Sequence, residues 1–131
     1  NRIRNIDLVA GDVTHLPFKD NSVDNIFFLN TLVNIPSDFI AFQLLNELMR
    51  ICRSDGRIFV DIRNKSNLLL RIRYWLHNRS ADFSTRSFHL RQISGIFASN
   101  GYHLVAKHNV GSPILFATWA FLLEYQNANH D

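Results

Sequence analysis

The residues of this chain whose types and positions suit chemistry fall in three places. Gly11-Asp12-Val13 follows the apolar run Leu8-Val9-Ala10, and Asn30 follows Ile26-Phe27-Phe28-Leu29. Each is a point where an apolar run gives way to a polar loop, and in an open α/β sheet such strand ends hold the ligand. The third group is basic and aromatic: Arg63, Lys65, Arg71, Arg73, Arg79, Arg86 and Arg91, with Tyr74 and Trp75 between them. Cations beside aromatic faces suit a nucleic-acid strand or an anionic, amphipathic small molecule. Metal chemistry finds no comparable arrangement. His15, His77, His89, His103 and His108 are scattered at no ligand spacing and His130 is in the terminal tail, so no metal is expected. The single Cys52 cannot form an internal disulfide and reads as a buried, inert thiol.

These residues need elements to position them. Ile6–Ala10 and Val23–Asn30 read as buried strands, the latter rich in β-formers, with turn chemistry at Pro17–Ser22 between them. Phe39, Phe42, Leu45, Leu48, Met49 and Cys52 recur at three-to-four spacing, which predicts an amphipathic helix capped by Ser37 or Asp38 and ended by Asp55-Gly56. Arg57–Arg63 is a third buried strand. Helices are predicted over Ser66–Arg79 and over His89–Tyr102, the latter stopped by Gly101. Two strands, Tyr102–Val110 and Pro113–Tyr125, follow, joined by a Gly111–Pro113 turn too short for a crossover and therefore antiparallel. The expected fold class is α/β: a mostly parallel sheet with helices on its faces and a C-terminal antiparallel hairpin. On that sheet Gly11-Asp12-Val13 and Phe28-Leu29-Asn30 share one rim.

At 131 residues and 47% hydrophobic, the chain suffices for one core, so a single domain over residues 1–131 is expected. Its +3 charge is unevenly spread: residues 1–62 hold six Lys/Arg against eight Asp/Glu, residues 63–131 eight against three. That asymmetry is thin for a nucleic-acid surface, and a solvated face is the favoured explanation. No apolar run approaches the roughly 20 residues of a membrane-spanning helix, and no secretory signal opens the sequence, which reads as cytoplasmic. The first residue is Asn1, which fits a trimmed or incomplete product.

The segments "GDVTHLPFKDNSVDNIFFLNTLVNI", "LLNELMRICRSDGRIFV" and "FHLRQISGIFASNGYHLVAKHNVG" resemble, in order, signature segments of the class I S-adenosylmethionine-dependent methyltransferases that act on small molecules, quinone precursors and lipids. The resemblance covers nearly the whole chain. It implies an incomplete Rossmann-like methyltransferase fold, the C-terminal part of a methyltransferase domain. The family's Gly-rich first loop has no counterpart, since Gly56, Gly95, Gly101 and Gly111 are isolated. Activity of this stretch alone is therefore expected to be impaired.

The same resemblance implies S-adenosyl-L-methionine as cofactor and assigns it residues. Asp12 would accept from the adenine amine while the Val13 amide, after Gly11, reads a ring nitrogen; a turn-capping role for Asp12 is the alternative. Phe28 and Leu29 match the wall of the methionine side, and Asn34 keeps a polar contact where the family often carries His. The acceptor is expected under the helix that follows the third strand, with Arg71 and Tyr74 as its candidate contacts. It would be a small molecule or lipid-like, with nucleic acid the less favoured partner, and an inactive fragment or a nucleic-acid-binding module over residues 63–91 stands as the alternative. Asp61 faces either the core or the rim. Because the resemblance implies a sheet that separates Ile6–Ala10 from Val23–Asn30 with two strands not found here, the favoured expectation is that Ile6–Ala10 moves across to pair in parallel with Asn25–Leu29, the alternative being a bare edge and self-association. Arg57–Arg63 should then lie between Val23–Asn30 and the last strand.

Overall fold

The structure is a computed structural model that describes residues 6–80, 85–110 and 120–128. Its elements are β1 (Val23–Phe28), a 3-10 turn (Leu32–Asn34), α1 (Asp38–Ile51), β2 (Cys52–Arg63), α2 (Leu68–Ser80), α3 (Leu90–Ser99), β3 (Tyr102–Val110) and β4 (Ala120–Asn127). The strands form one sheet in the order β1-β2-β4-β3. β1 runs parallel to β2, while β2/β4 and β3/β4 are antiparallel. The third predicted strand thus lies between Val23–Phe28 and the last strand, and the last two strands pair antiparallel, as expected. The Gly111–Pro113 turn itself lies outside the described residues.

Two expectations are corrected. Ile6–Ala10 forms no strand and pairs with nothing in the sheet, so β1 is an edge. The reason lies in the next segment. Arg50 near the end of α1 binds the Leu16 and Phe18 carbonyls and the Asp20 carboxylate, and Glu47 accepts from the Leu16 amide at 3.0 Å. That clamp leads the chain along α1 into β1, and Ile6–Ala10 is left exposed, with Leu8 at 93%.

The second correction concerns the end of α1. Ser37 caps its start, its hydroxyl accepting from the Ile40 amide at 3.2 Å, but the helix stops at Ile51 and β2 begins at Cys52. Asp55-Gly56 therefore lies within β2, where the pairing with β1 slips between Val23 and Asn25. Gly56 is needed for close approach and not for a left-handed stop: a Cβ there would stand 2.7 Å from the Asp24 carbonyl and 2.8 Å from Cys52 Sγ. Gly101, by contrast, is the predicted stop of α3 and takes φ 79, a left-handed conformation that suits glycine.

The core lies on one side of the sheet. β2 alternates Ile58, Val60 and Ile62 inward, all essentially inaccessible, against Leu44, Leu45 and Leu48 of α1 and Ile93 and Phe97 of α3. Phe97 stacks on Tyr125 of β4 with ring centroids 3.9 Å apart. Burying each such aliphatic side chain is worth about 1.5–3 kcal/mol. Cys52 is free and buried in this core, and burial raises its thiol pKa, which makes it inert as expected. The opposite face carries Phe59, Asp61 and Arg63 of β2; there Phe59 stacks on Phe27, which is 68% exposed.

Candidate functional site

The rim at the ends of β1 and β2 is a polar cluster. Beyond β1 the chain turns at Asn30, held at φ 55, a left-handed conformation that Asn tolerates better than most residues. The Asn30 amide donates to Asp61 Oδ1 at 2.6 Å, and Arg63 donates to Asn30 Oδ1 at 2.9 Å. Arg63 also pairs with Asp61 Oδ2 at 3.4 Å. Asp61 thus faces the rim, which answers the question its sequence position left open. Asn34, in the 3-10 turn, donates to the Asn30 carbonyl at 3.3 Å.

The cluster extends to α2 and to the segment before α3. Tyr74 is half-buried; burial raises its phenol pKa, with the neighbouring Arg63 cation acting in the opposite sense. The Phe88 amide donates to the Arg63 carbonyl at 2.9 Å and the Arg86 amide to the Val33 carbonyl at 2.8 Å, so residues 85–88 close the rim from above. α2 starts under an Asn67 cap, whose side chain accepts from the Leu70 amide at 3.1 Å. Near its end, Asn78 binds both the amide and the carbonyl of Thr85. Between α2 and this segment lies an open cleft of about 540 Å³, lined by Arg71, Ile72, Tyr74 and Trp75 on one side and Thr85 and Ser87 on the other.

The residues singled out from sequence divide accordingly. Asn34 belongs to the polar cluster, Phe28 leads into it and packs partly against the core, and Leu29 is 47% exposed beside it. Arg71 and Tyr74 line the same cleft, and Tyr74 alone of the two reaches the cluster. Gly11, Asp12 and Val13 are joined to the rim by no described contact. Asp12 instead caps its own turn: Oδ1 accepts from the Thr14 amide at 2.8 Å and from its hydroxyl at 2.7 Å, which lowers the Asp12 pKa. Both bonds use one oxygen, leaving Oδ2 to accept from a ligand. Asn30 and Arg63 stand among the sequence candidates without an assigned role, and Asp61 has a face that the sequence leaves open. An available signal was the two-residue alternation of β2, which puts Asp61 and Arg63 on one face at the strand's end, away from the Ile58-Val60-Ile62 core.

Of the basic group, Arg63 is committed to Asp61 and Arg86 to Asp38, while Arg79 lies over the Trp75 ring at 4.1 Å. Among the described residues no three His, Cys, Asp or Glu gather in a way that could hold a metal, and no helix is long and apolar enough to cross a membrane.

Residues 1–60 match the family described as "Methyltransferase domain". An uncharacterised protein of Methanocaldococcus jannaschii is 26% identical over 121 residues, covering 89% of this chain and 49% of that protein. A crystal structure of a SAM-dependent methyltransferase from Methanosarcina mazei superposes with a TM-score of 0.73 at 12% identity, over 89% of this chain and 65% of that one. The magnesium protoporphyrin IX methyltransferase of Synechocystis, solved with bound S-adenosylhomocysteine, superposes with a TM-score of 0.67 at 16% identity, over 89% and 49%. The fold is a partial Rossmann-like methyltransferase fold. The chain thus shares a match to a methyltransferase-domain family over residues 1–60 and the fold of S-adenosylmethionine-dependent methyltransferases, and it spans about half to two thirds of the length of these relatives.

Proposed function

We propose that this chain is the C-terminal part of a methyltransferase domain that moves a methyl group from S-adenosyl-L-methionine to a small-molecule or lipid-like acceptor. The observation that carries the reading is the bonded cluster Asn30-Asp61-Arg63 at the strand ends, where a Rossmann-like sheet holds its ligand, with Tyr74 of the cleft helix near the Arg63 cation. The cofactor supplies an electrophilic methyl on sulfonium. The chain's own residues bind and orient: Asp12 Oδ2 and the Val13 amide, presented after Gly11, suit the donor-acceptor edge of adenine. Phe28 and Leu29 give an apolar wall beside the sulfonium, with Asn34 as the polar contact next to it. Arg71 and Tyr74 would meet the acceptor in the cleft. In-line methyl displacement asks chiefly for positioning and a dry site, and a base only if the acceptor must lose a proton.

Titration with S-adenosylhomocysteine tests this. The chain has no G-x-G loop to approach a cofactor closely, so a dissociation constant of about 1 mM is expected. Asp12→Ala should abolish that binding, whereas Arg71→Ala and Tyr74→Phe should leave it unchanged. Loss of binding on changing Arg71 or Tyr74, but not Asp12, would reverse the assignment of the two sides.

A further inference from the structure

α2 presents an outward apolar face that the core does not use, part of which, at Leu68, Ile72 and Trp75, also borders the cleft. Leu68, Leu69, Ile72, Trp75 and Leu76 are each between 48% and 69% exposed. At about 100° per residue these five occupy a single arc of roughly 120°. Leu70, on the other side, is 2% exposed and is the residue that anchors the helix to the protein. On the same helical wheel Arg71 stands at one edge of the apolar arc and Arg73 at the other, and Arg79 lies on the last turn against the Trp75 ring. No Asp or Glu occurs between Asp61 and Asp82.

We propose that α2 docks this protein on an anionic phospholipid surface, with the apolar arc in the headgroup–acyl boundary and Arg71 and Arg73, at its two edges, at the phosphates. An aliphatic arc flanked on both edges by arginines is the arrangement by which an interfacial helix lies in the membrane plane. The flanking cations add attraction to an anionic leaflet, each worth most close to the surface. Charge decides against the other occupants. A second copy related by a two-fold axis would bring the same arginines together with no helix carboxylate to pair them. A nucleic-acid strand would satisfy the arginines but leave Leu68, Leu69 and Ile72 without a role, and the exposed aromatic face it would stack on is already covered by Arg79.

The proposal is independent of cofactor binding, and vesicle partitioning tests it. The protein should cosediment with vesicles of phosphatidylcholine containing about 30% phosphatidylserine, and at least tenfold more weakly with pure phosphatidylcholine. The paired substitution Leu69→Ser and Leu76→Ser lies outside the cleft; it should weaken partitioning at least tenfold while circular dichroism and S-adenosylhomocysteine affinity stay the same. In a Trp119→Phe background, Trp75 fluorescence should shift to the blue on vesicle addition. Equal partitioning of the paired variant, no binding by the unaltered protein, or a concentration-dependent dimer that the pair abolishes would overturn the proposal. So would single-stranded RNA binding as tight as vesicle binding.

Discussion

The two sides of the Gly11–Ser22 loop differ sharply. Before it, Ile6–Ala10 is exposed and outside the sheet; after it, Val23–Phe28 is paired along β2. Both stretches are short and apolar. What separates them is the chain's entry: the Asn21 and Ser22 amides donate to the Arg50 and Ile51 carbonyls, at 3.0 and 2.8 Å, which sets β1 in register with Cys52 and the residues beyond. A β-rich sequence becomes a strand when a neighbour offers a ladder, and propensity by itself does not provide one.

The largest test of this contrast is on the paired side. Ile58 is fully buried and sits opposite Ile26 in the β1/β2 register. Ile58→Ala should cost about 2–5 kcal/mol through lost burial and the cavity it leaves. Denaturant titration would measure it. A loss below 1 kcal/mol, on the order of a surface change, would mean that this strand pair does not carry the fold.

Next comes the clamp that leads the chain into β1. Arg50 bonds both Glu47 oxygens, at 2.9 and 2.8 Å, and pairs with Asp20 at 2.5 Å. Arg50→Ala should lower stability measurably, by less than Ile58→Ala, since it leaves the Glu47 carboxylate and the Leu16 and Phe18 carbonyls without their Arg50 partner. The hydrogen bond from Arg50 is the main cause of Glu47's lowered pKa, and the sign follows. The charged form is favoured in the folded state, so this contribution is fully present above the ordinary carboxylate value of 4.5 and is lost as pH falls through the lowered folded value. Glu47→Gln should be less stable than the parent at neutral pH by about 1–2 kcal/mol, and the gap should close on acidification. A gap that holds constant down to acid pH would show that the Glu47 charge is not what the clamp uses.

The clamp also explains what could be read from sequence. Helix α1, its Ser37 cap, the β2 core face and the Gly101 stop were legible because each rests on local spacing or a local turn. The fate of Ile6–Ala10 was not, since it depends on Arg50 reaching back more than thirty residues to Leu16. The early end of α1 escaped for a related reason: Asp55-Gly56 has the composition of a helix stop, but Gly56 meets the Asp24 carbonyl on the neighbouring strand. The expected roles of Asn34, Arg71 and Tyr74 come from segment order through the family resemblance. The Asn30-Asp61-Arg63 cluster needed β1 and β2 to be side by side, a pairing that only the fold supplies.

The smallest effect is expected on the unpaired side, and it sharpens the contrast most directly. Leu8 is 93% exposed and Val9 58%, so neither removes much apolar surface from water. Leu8→Asp and Val9→Asp should each change stability by no more than about 0.5 kcal/mol, the usual range for surface positions. Ile26→Asp in β1 is the matched control, because Ile26 packs against the core and an unpaired carboxylate there would be desolvated. Thermal denaturation of the three variants side by side decides the matter. If Leu8→Asp destabilises as much as Ile26→Asp, then Ile6–Ala10 packs in solution, and the difference between the two sides of the loop lies in the ladder alone and not in burial.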